Sequence, residues 1–314
     1  MNGRSSLILL TWNGAGFLPD LLRSLRAQIQ PPAEVIVVDN GSTDGSPEWI
    51  AANAPDWRLI RNQANRGVAA AWNQALEVAQ GEFLVMLNQD MVFRSGWLQA
   101  LEDAFDRVPE VGIVGGKLLY PDEQTIQHAG GRMILPLMRG THYGYQEPDR
   151  GQHDQERLVD FVTGAGMAIR RSVIAAIGGF DERFAPAYCE DSDFCLRARA
   201  SGFGVLYTPH AVAIHIESTT MGGSKSERVF RLLHRNRLRL VFKHLDAQTI
   251  LQSFLPAEQA FLRSDEPAYM LDPLRQMYLA GLDDELAGLS PAAPAVRDAM
   301  RAACEQATDD RAGT

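Results

Sequence analysis

The chain has 314 residues, enough for one elaborated α/β domain or two small ones. Hydrophobic residues make up 46% and charged residues 22%, which excludes low-complexity disorder and a collagen-like chain. Thirty Lys and Arg stand against 39 Asp and Glu, a formal net charge of −9 that argues against a generic nucleic-acid binder. Three cysteines (Cys189, Cys195 and Cys304) are too few and too scattered for a disulfide framework or a zinc site, and suit a reducing compartment. No apolar run approaches the roughly 18 residues of a membrane span. The stretch before Thr11 has one Arg and only four consecutive apolar residues, too short for a signal peptide. A cytoplasmic location is therefore expected.

Short apolar runs alternate with helical periodicities through the first hundred residues. Leu7–Leu10 predicts a strand, and Phe17–Ile29 a helix. Val35–Val38 predicts a second strand, stopped by Asp39-Asn40-Gly41. Asp44 or Ser46 can cap a short helix that reaches Ala54. Arg58–Ile60 predicts a third strand, Val68–Ala79 a helix, and Phe83–Leu87 a buried central strand. This rhythm predicts a doubly wound, mostly parallel sheet, whose ligands bind at the carboxyl ends of the strands. Polar clusters occupy those ends: Thr11-Trp12-Asn13, Asp39-Asn40-Gly41-Ser42 and Asn88-Gln89-Asp90. Farther on, Val111–Tyr120 and Gly204–Ile216 are strand-rich, Phe194–Ala200 is helical, and the polar stretch Thr141–Arg157 reads as a mobile loop. Lys225–Leu245 carries seven Lys or Arg and one Glu, and predicts a basic amphipathic helix. Residues 246–314 carry 12 acids and five basic residues and read as a helical tail, broken near Ser290-Pro291 and Pro294 and frayed at its end. The charge contrast leaves two readings: the tail packs on the basic helix, or that helix meets an anionic surface.

Asp90, after a buried strand, is a suitable oxygen ligand for Mg²⁺ or Mn²⁺, with Asn88 offering a neutral oxygen. An Asn-x-Asp at a strand end also suits a plain turn. Glu190, Asp191 and Asp193 lie within four residues. Such a cluster suits a general base or metal site, and equally a helix N-terminus. His215 closes an apolar strand and is either structural or a metal ligand. His210, five residues earlier, points to the opposite face by strand alternation. His128 and His142 have no local partner that singles them out. Pro19 stands where a dinucleotide fingerprint needs glycine, and no GxxxxGK[ST] occurs.

In this order the clusters resemble the inverting family-two glycosyltransferases of the GT-A fold. The resemblance rests on Leu10-Thr11-Trp12-Asn13, Val37–Gly45, Asn65-Arg66-Gly67 with Asn73, Leu87-Asn88-Gln89-Asp90, Gly178–Glu182, Glu190-Asp191 and His215, and covers about residues 5–245. It implies a GT-A α/β fold: a doubly wound, mostly parallel central sheet with flanking helices and a C-terminal helical extension. Residues 1–100 form the nucleotide-sugar-binding half, 101–224 the acceptor-binding and catalytic half, and 225–314 the extension. A nucleoside-diphosphate sugar would be bound by Thr11, Trp12, Asn13, Asp39, Asn40, Ser42, Asn65, Arg66, Gly67, Asn73 and Gln89. Trp12 would stack on the nucleobase, and Asp39 would bind the base or ribose. Asp90, His215 and Asn88 would hold Mg²⁺ or Mn²⁺, and Asp191, beside Glu190, would deprotonate the acceptor hydroxyl.

Asn88 stands where the family usually has the first Asp of its metal motif, as in relatives resembling rhamnosyltransferases. The stretches Leu118–Asp122 and Thr125–Gly131 resemble that branch too, which favours a dTDP-sugar such as dTDP-L-rhamnose, with UDP- and GDP-sugars open. His234-Arg235-Asn236-Arg237 resembles a motif that approaches the donor diphosphate or an anionic lipid-linked acceptor. Expected partners are thus the donor, a glycan or lipid-linked acceptor, the inner membrane face through residues 225–245, a second copy of the chain, and no nucleic acid. Two other classes are weighed against this. A nucleotidyltransferase would carry a basic phosphate loop after the first strand, but Thr11–Phe17 has no Lys or Arg. A catalytically inactive nucleotide-sugar-binding protein is supported by Asn88.

Overall fold

In the computed structural model, residues 3–216, 226–279 and Ala302 are described. Lys225, the break expected at Ser290-Pro291 and Pro294, and Cys304 lie outside them. The chain divides into two compact units. One comprises Met1–Arg132 and Thr141–Glu217, the other Met133–Gly140 and residues 218–314. The stretches expected as halves at 1–100 and 101–224 fall in one unit, apart from Met133–Gly140 and residues 218–224.

The first unit is built on a ten-stranded sheet. Strand β1 (Ser5–Thr11) leads to α1 (Leu18–Arg26), β2 (Glu34–Asp39), α2 (Ser46–Asn53), β3 (Arg58–Arg61), α3 (Val68–Leu76) and β4 (Phe83–Asn88). In α1, Leu18, Leu21, Leu22 and Leu25 recur at helical spacing and are buried, while Pro19 occupies the first turn, where its missing N–H costs nothing. All four strands are parallel, in the order β3-β2-β1-β4. After β5 (Met91–Phe93) and α4 (Trp97–Arg107), β6 (Val111–Leu119) is buried along its whole length.

A strand that the periodicity did not mark, β11 (Met167–Arg170), lies between β4 and β6 and runs antiparallel to both. Before it come the short strands β7 (Ile126–His128), β8 (Gly131–Ile134), β9 (Arg139–His142) and β10 (Arg157–Leu158). Helices α5 (Arg171–Ile177) and α6 (Glu190–Ala200) precede β12 (Gly204–His215), which pairs parallel with β6. The sheet is therefore mostly parallel, and the carboxyl ends of β1, β2, β4, β6 and β12 share one edge. The first residues of the reversed strand β11 come to that same edge.

The segment 141–157, expected to be mobile, is pinned. The Lys117 ammonium, 4% exposed, donates to both carboxylate oxygens of Asp149 (2.9 and 3.1 Å) and pairs with Asp154. The Tyr207 hydroxyl donates to the carbonyl of His153 (3.0 Å), and Ile126 exchanges backbone bonds with Gln146 and Glu147 of the segment. The tether is invisible in the polar sequence of the loop because its anchor sits thirty residues earlier on β6.

In the second unit, α7 (Glu227–His244) is capped by Ser226, whose hydroxyl accepts the Val229 amide. It packs against helix Ala268–Leu279, and His234 reaches the carbonyl of Met270 at 2.8 Å. One cation of this basic helix is turned inward. Arg237 is buried and bonded to Glu258 (Nη1–Oε2 3.0 Å) and to the carbonyl of Leu137 (2.9 Å). The acidic segment and the basic helix thus meet through at least one buried ion pair. No helix among the described residues is long and apolar enough to cross a membrane.

Candidate active site

At the end of β1, Gln89 fixes the backbone rather than facing open space. Its Oε1 accepts from the Thr11 hydroxyl and the Trp12 amide (both 2.8 Å), and its Nε2 donates to the Trp12 carbonyl (3.1 Å). Asn13 is held by Ser42, which accepts its amide, and its own Oδ1 accepts the Thr43 amide. The loops after β1 and β2 are therefore laced together. Trp12 is half-buried.

At the end of β2, Asp39 is 1% exposed. Its Oδ2 accepts the Ser42 amide at 3.2 Å, while its Oδ1 is buried with no hydrogen-bond partner. A buried carboxylate oxygen without a donor is costly, and a ligand hydroxyl or N–H would satisfy it. Asn40 organises the next loop. Its Oδ1 accepts from Asn62 and the Arg66 amide, and its Nδ2 donates to Asn65 and the Gly67 carbonyl. Asn62, bonded in turn to Gln74, is a supporting residue that the sequence reading missed. Asn73 on α3 grips Phe180 through both backbone groups (2.8 and 2.9 Å) and also reaches Glu182, so it shapes the Gly178–Glu182 segment.

Strand β5 brings the third cluster to β12. Met91 pairs with His215, and the Ile216 amide donates to the Asp90 carbonyl. Asp90 Oδ1 consequently lies 3.4 Å from His215 Nε2, with Asn88 Nδ2 also 3.4 Å from that nitrogen. His210 is exposed. Among the described residues, no group of three or more His, Cys, Asp or Glu side chains forms a metal cage. Asp90 and His215 are two convergent hard or borderline donors, and oxygen and imidazole nitrogen 3.4 Å apart suit a shared divalent cation. Asn88 would join only with its carbonyl oxygen turned toward them.

Asp191 opens α6 and is fixed from two sides. Its Oδ2 accepts the Gly164 amide (3.1 Å), and its Oδ1 accepts the Ser192 amide (2.6 Å). Gly164 lies just before β11, so the reversed strand ties Asp191 to the same sheet edge as Asp90. Burial raises the Asp191 pKa against these hydrogen bonds. Glu190 is buried, its Oε2 has no partner, and burial together with the Asp191 charge pushes its pKa up to about 8. Burial thus favours the protonated form of both carboxyls, while the Gly164 and Ser192 amides favour the charged form of Asp191. Asp193 pairs with Arg197 at 2.8 Å and anchors the helix instead. Tyr188 and Cys189 enter α6 with φ of +78° and +69°, a left-handed backbone that side chains disfavour and that clusters at functional sites.

Two histidines without an obvious role in the sequence pair with each other, His128 Nδ1 lying 3.0 Å from His142 Nδ1. Burial keeps both neutral, lowering His142 to about 4. Beside them Gln127, buried on β7, reaches His215 and is the residue of this region most easily overlooked.

Residues 6–178, more than half of the chain, match the model of Glycosyl transferase family 2. The chain belongs to that family. Among family 2 relatives is the N-acetylglucosaminyl-diphospho-decaprenol L-rhamnosyltransferase of Mycobacterium tuberculosis, 29% identical over 69% of this chain and 77% of that protein. The O-antigen biosynthesis protein RfbC of Myxococcus xanthus is 37% identical over 64% of this chain but only 17% of its own length. The mannosyltransferase PcManGT of Pyrobaculum calidifontis, solved with GDP-Man and Mn²⁺, superposes with a TM-score of 0.56 over 98% of this chain and 86% of its own, at 21% identity. The chain is thus a glycosyltransferase of family 2 with the GT-A fold.

Proposed function

We propose that the chain moves a sugar from a nucleoside-diphosphate sugar to an acceptor hydroxyl, with inversion at the anomeric carbon. The donor best supported is dTDP-L-rhamnose, and the product belongs to polysaccharide, O-antigen or other glycoconjugate synthesis. The observation that carries this reading is the approach of Asp90 to His215 at the sheet edge that also holds Asp39 and Asp191. The names of the M. tuberculosis and M. xanthus relatives support the donor and product class.

Asp39 Oδ1 accepts a hydrogen from the nucleobase or ribose, and Trp12 stacks on the base. Asn13 and Ser42 shape the wall between the first two strand ends. Asn40 holds Asn65, Arg66 and Gly67 in place, and Arg66 extends toward the donor's negative charge. Asn73 positions the acceptor-side segment 178–182. Asp90 and His215 would hold Mg²⁺ or Mn²⁺, with Asn88 beside them, and such a cation would supply positive charge against the departing diphosphate. Asp191 takes the acceptor hydroxyl proton as the new C–O bond forms and the bond from anomeric carbon to diphosphate breaks, and Glu190 keeps its own proton. The setting we propose is cytoplasmic, with residues 225–245 touching an anionic membrane face.

Calorimetry with dTDP, UDP and GDP tests the site, with Mn²⁺ and with EDTA, beside Asp90→Ala. Selective binding of one nucleotide, lost with EDTA and in the variant, is expected. Equal binding in EDTA removes the role given to Asp90, and no binding at all removes the donor site. The anomeric configuration of the product, read by NMR, tests inversion.

A further inference from the structure

We infer that Gln127 is the positioning residue that fixes the tautomer and aim of His215. The inference rests on the reading of Asp90 and His215 as a cation site. On β6 and β7, Leu118 pairs with His128 but Leu119 pairs with Ile126, so Gln127 is the extra residue of a β-bulge. A bulge re-aims a side chain, and this one turns toward the end of β12. Gln127 is 4% exposed and holds His215 at two points. Its Oε1 lies 2.7 Å from Nδ1 of the imidazole, and its Nε2 lies 3.4 Å from the backbone carbonyl of the same residue.

The carbonyl decides which way the amide faces. With the amide reversed, its oxygen would meet the His215 carbonyl oxygen, acceptor against acceptor. The NH₂ therefore faces the carbonyl, and the Oε1 faces Nδ1. An amide oxygen only accepts, so Nδ1 carries the imidazole proton. Nε2 then carries the lone pair, with the Asn88 amide nitrogen at 3.4 Å as a donor to it and Asp90 Oδ1 also at 3.4 Å. In the other tautomer an N–H would point into the cation position, and the ring would have to turn over before binding. A hydrogen-bond partner behind a ligating histidine that sets its tautomer is worth about 10–100-fold in metal affinity.

The full-length protein without metal gives the direct readout, ¹⁵N-edited NMR of the histidine imidazoles, with His215 assigned by its loss in His215→Gln. Wild type is expected to show the Nδ1–H tautomer. Gln127→Leu should lose its dominance, and Gln127→Glu, which keeps the acceptor for Nδ1 but sets its second oxygen against the His215 carbonyl, should restore it in part. Manganese EPR titration in the presence of dTDP should then show about 10–100-fold weaker Mn²⁺ binding in Gln127→Leu, with Gln127→Glu between the two. An unchanged Nδ1–H signal in a folded Gln127→Leu, or Mn²⁺ affinity equal to wild type, overturns the inference. Failure of wild type to bind Mn²⁺, or binding by Asp90→Ala as tight as wild type, overturns the cation reading and the purpose given to Gln127 with it. The tautomer signal still reports separately whether Gln127 orients the ring.

Discussion

The carboxylate of Asp191 accepts the amide hydrogen of Gly164 across 3.1 Å, which joins the first turn of α6 to the loop that enters β11. Gly164 has no room for a side chain, because a methyl group there would overlap Cη2 of Trp72. Trp72 is buried and packed on Phe180 with ring centroids 4.9 Å apart, so it has little space to move aside. Gly164→Ala should cost about 1–3 kcal/mol through overpacking, and should lower kcat more than it weakens donor binding. Thermal melts and steady-state kinetics check both. An unchanged kcat would show that Asp191 does not depend on that amide.

Asp191→Asn keeps the size and one of the two acceptor oxygens but removes the base. The expected loss in kcat is about 10²–10⁴-fold, with nucleotide affinity intact. Burial raises the wild-type pKa, so kcat/KM should begin to fall on acidification above the ordinary carboxylate range. A profile flat down to that ordinary range would contradict the role.

Glu190 makes an opposite demand on stability. Its pKa rises from 4.5 to about 8 on folding, so the folded state holds this proton more tightly than the unfolded chain. The stabilisation is complete below pH 4.5 and is lost as pH climbs to about 8. Glu190→Gln has no such proton to lose. Its melting temperature relative to wild type should therefore rise across that window and level off above it. A pH-independent difference would mean that Glu190 is charged in the folded protein.

Lys117→Met should release the 141–157 segment. The buried ammonium is the anchor for Asp149 and Asp154, and the variant leaves both carboxylates without it. Hydrogen bonds to charged groups are worth about 1.5–3 kcal/mol each, and limited proteolysis should cut this segment faster in the variant. Cleavage elsewhere, with this segment still protected, would show that the remaining backbone bonds suffice.

Within the second unit, removing either partner of Arg237–Glu258 strands a buried charge. Arg237→Met alone should cost about 3–5 kcal/mol, and the double variant Arg237→Met/Glu258→Leu should recover much of that loss. Equal destabilisation by single and double variants would argue that the Arg237 bond to the Leu137 carbonyl matters more.

The parallel core was legible because its strands announce themselves. Val35–Val38 and Phe83–Leu87 are continuous apolar runs that end in polar residues, and those ends define the edge where Asp39 and Asp90 lie. Gln89 was harder. A polar side chain beside two ligand candidates reads as a ligand, whereas here it fastens the Trp12 backbone. The reversal of β11 leaves no trace in the three apolar residues Met167–Ile169, since parallel and antiparallel strands bury alike. Gln127 depends on a bulge, and Gly164 on an indole ninety-two positions earlier in the chain. Both are products of register and packing between distant segments, which local periodicity does not encode.

The late arrival of β11 also has a consequence for synthesis. Strand β4 acquires its second neighbour only when a segment about eighty residues farther along has emerged. At translation rates of about 5–20 residues per second, that is roughly 4–16 s. Throughout that interval the nascent chain is expected to display the unpaired edge of a strand apolar from Phe83 to Leu87, a template for pairing with other chains. Ribosome-bound fragments that stop before residue 167 should recruit holdase chaperones, and fragments extending past β12 should shed them.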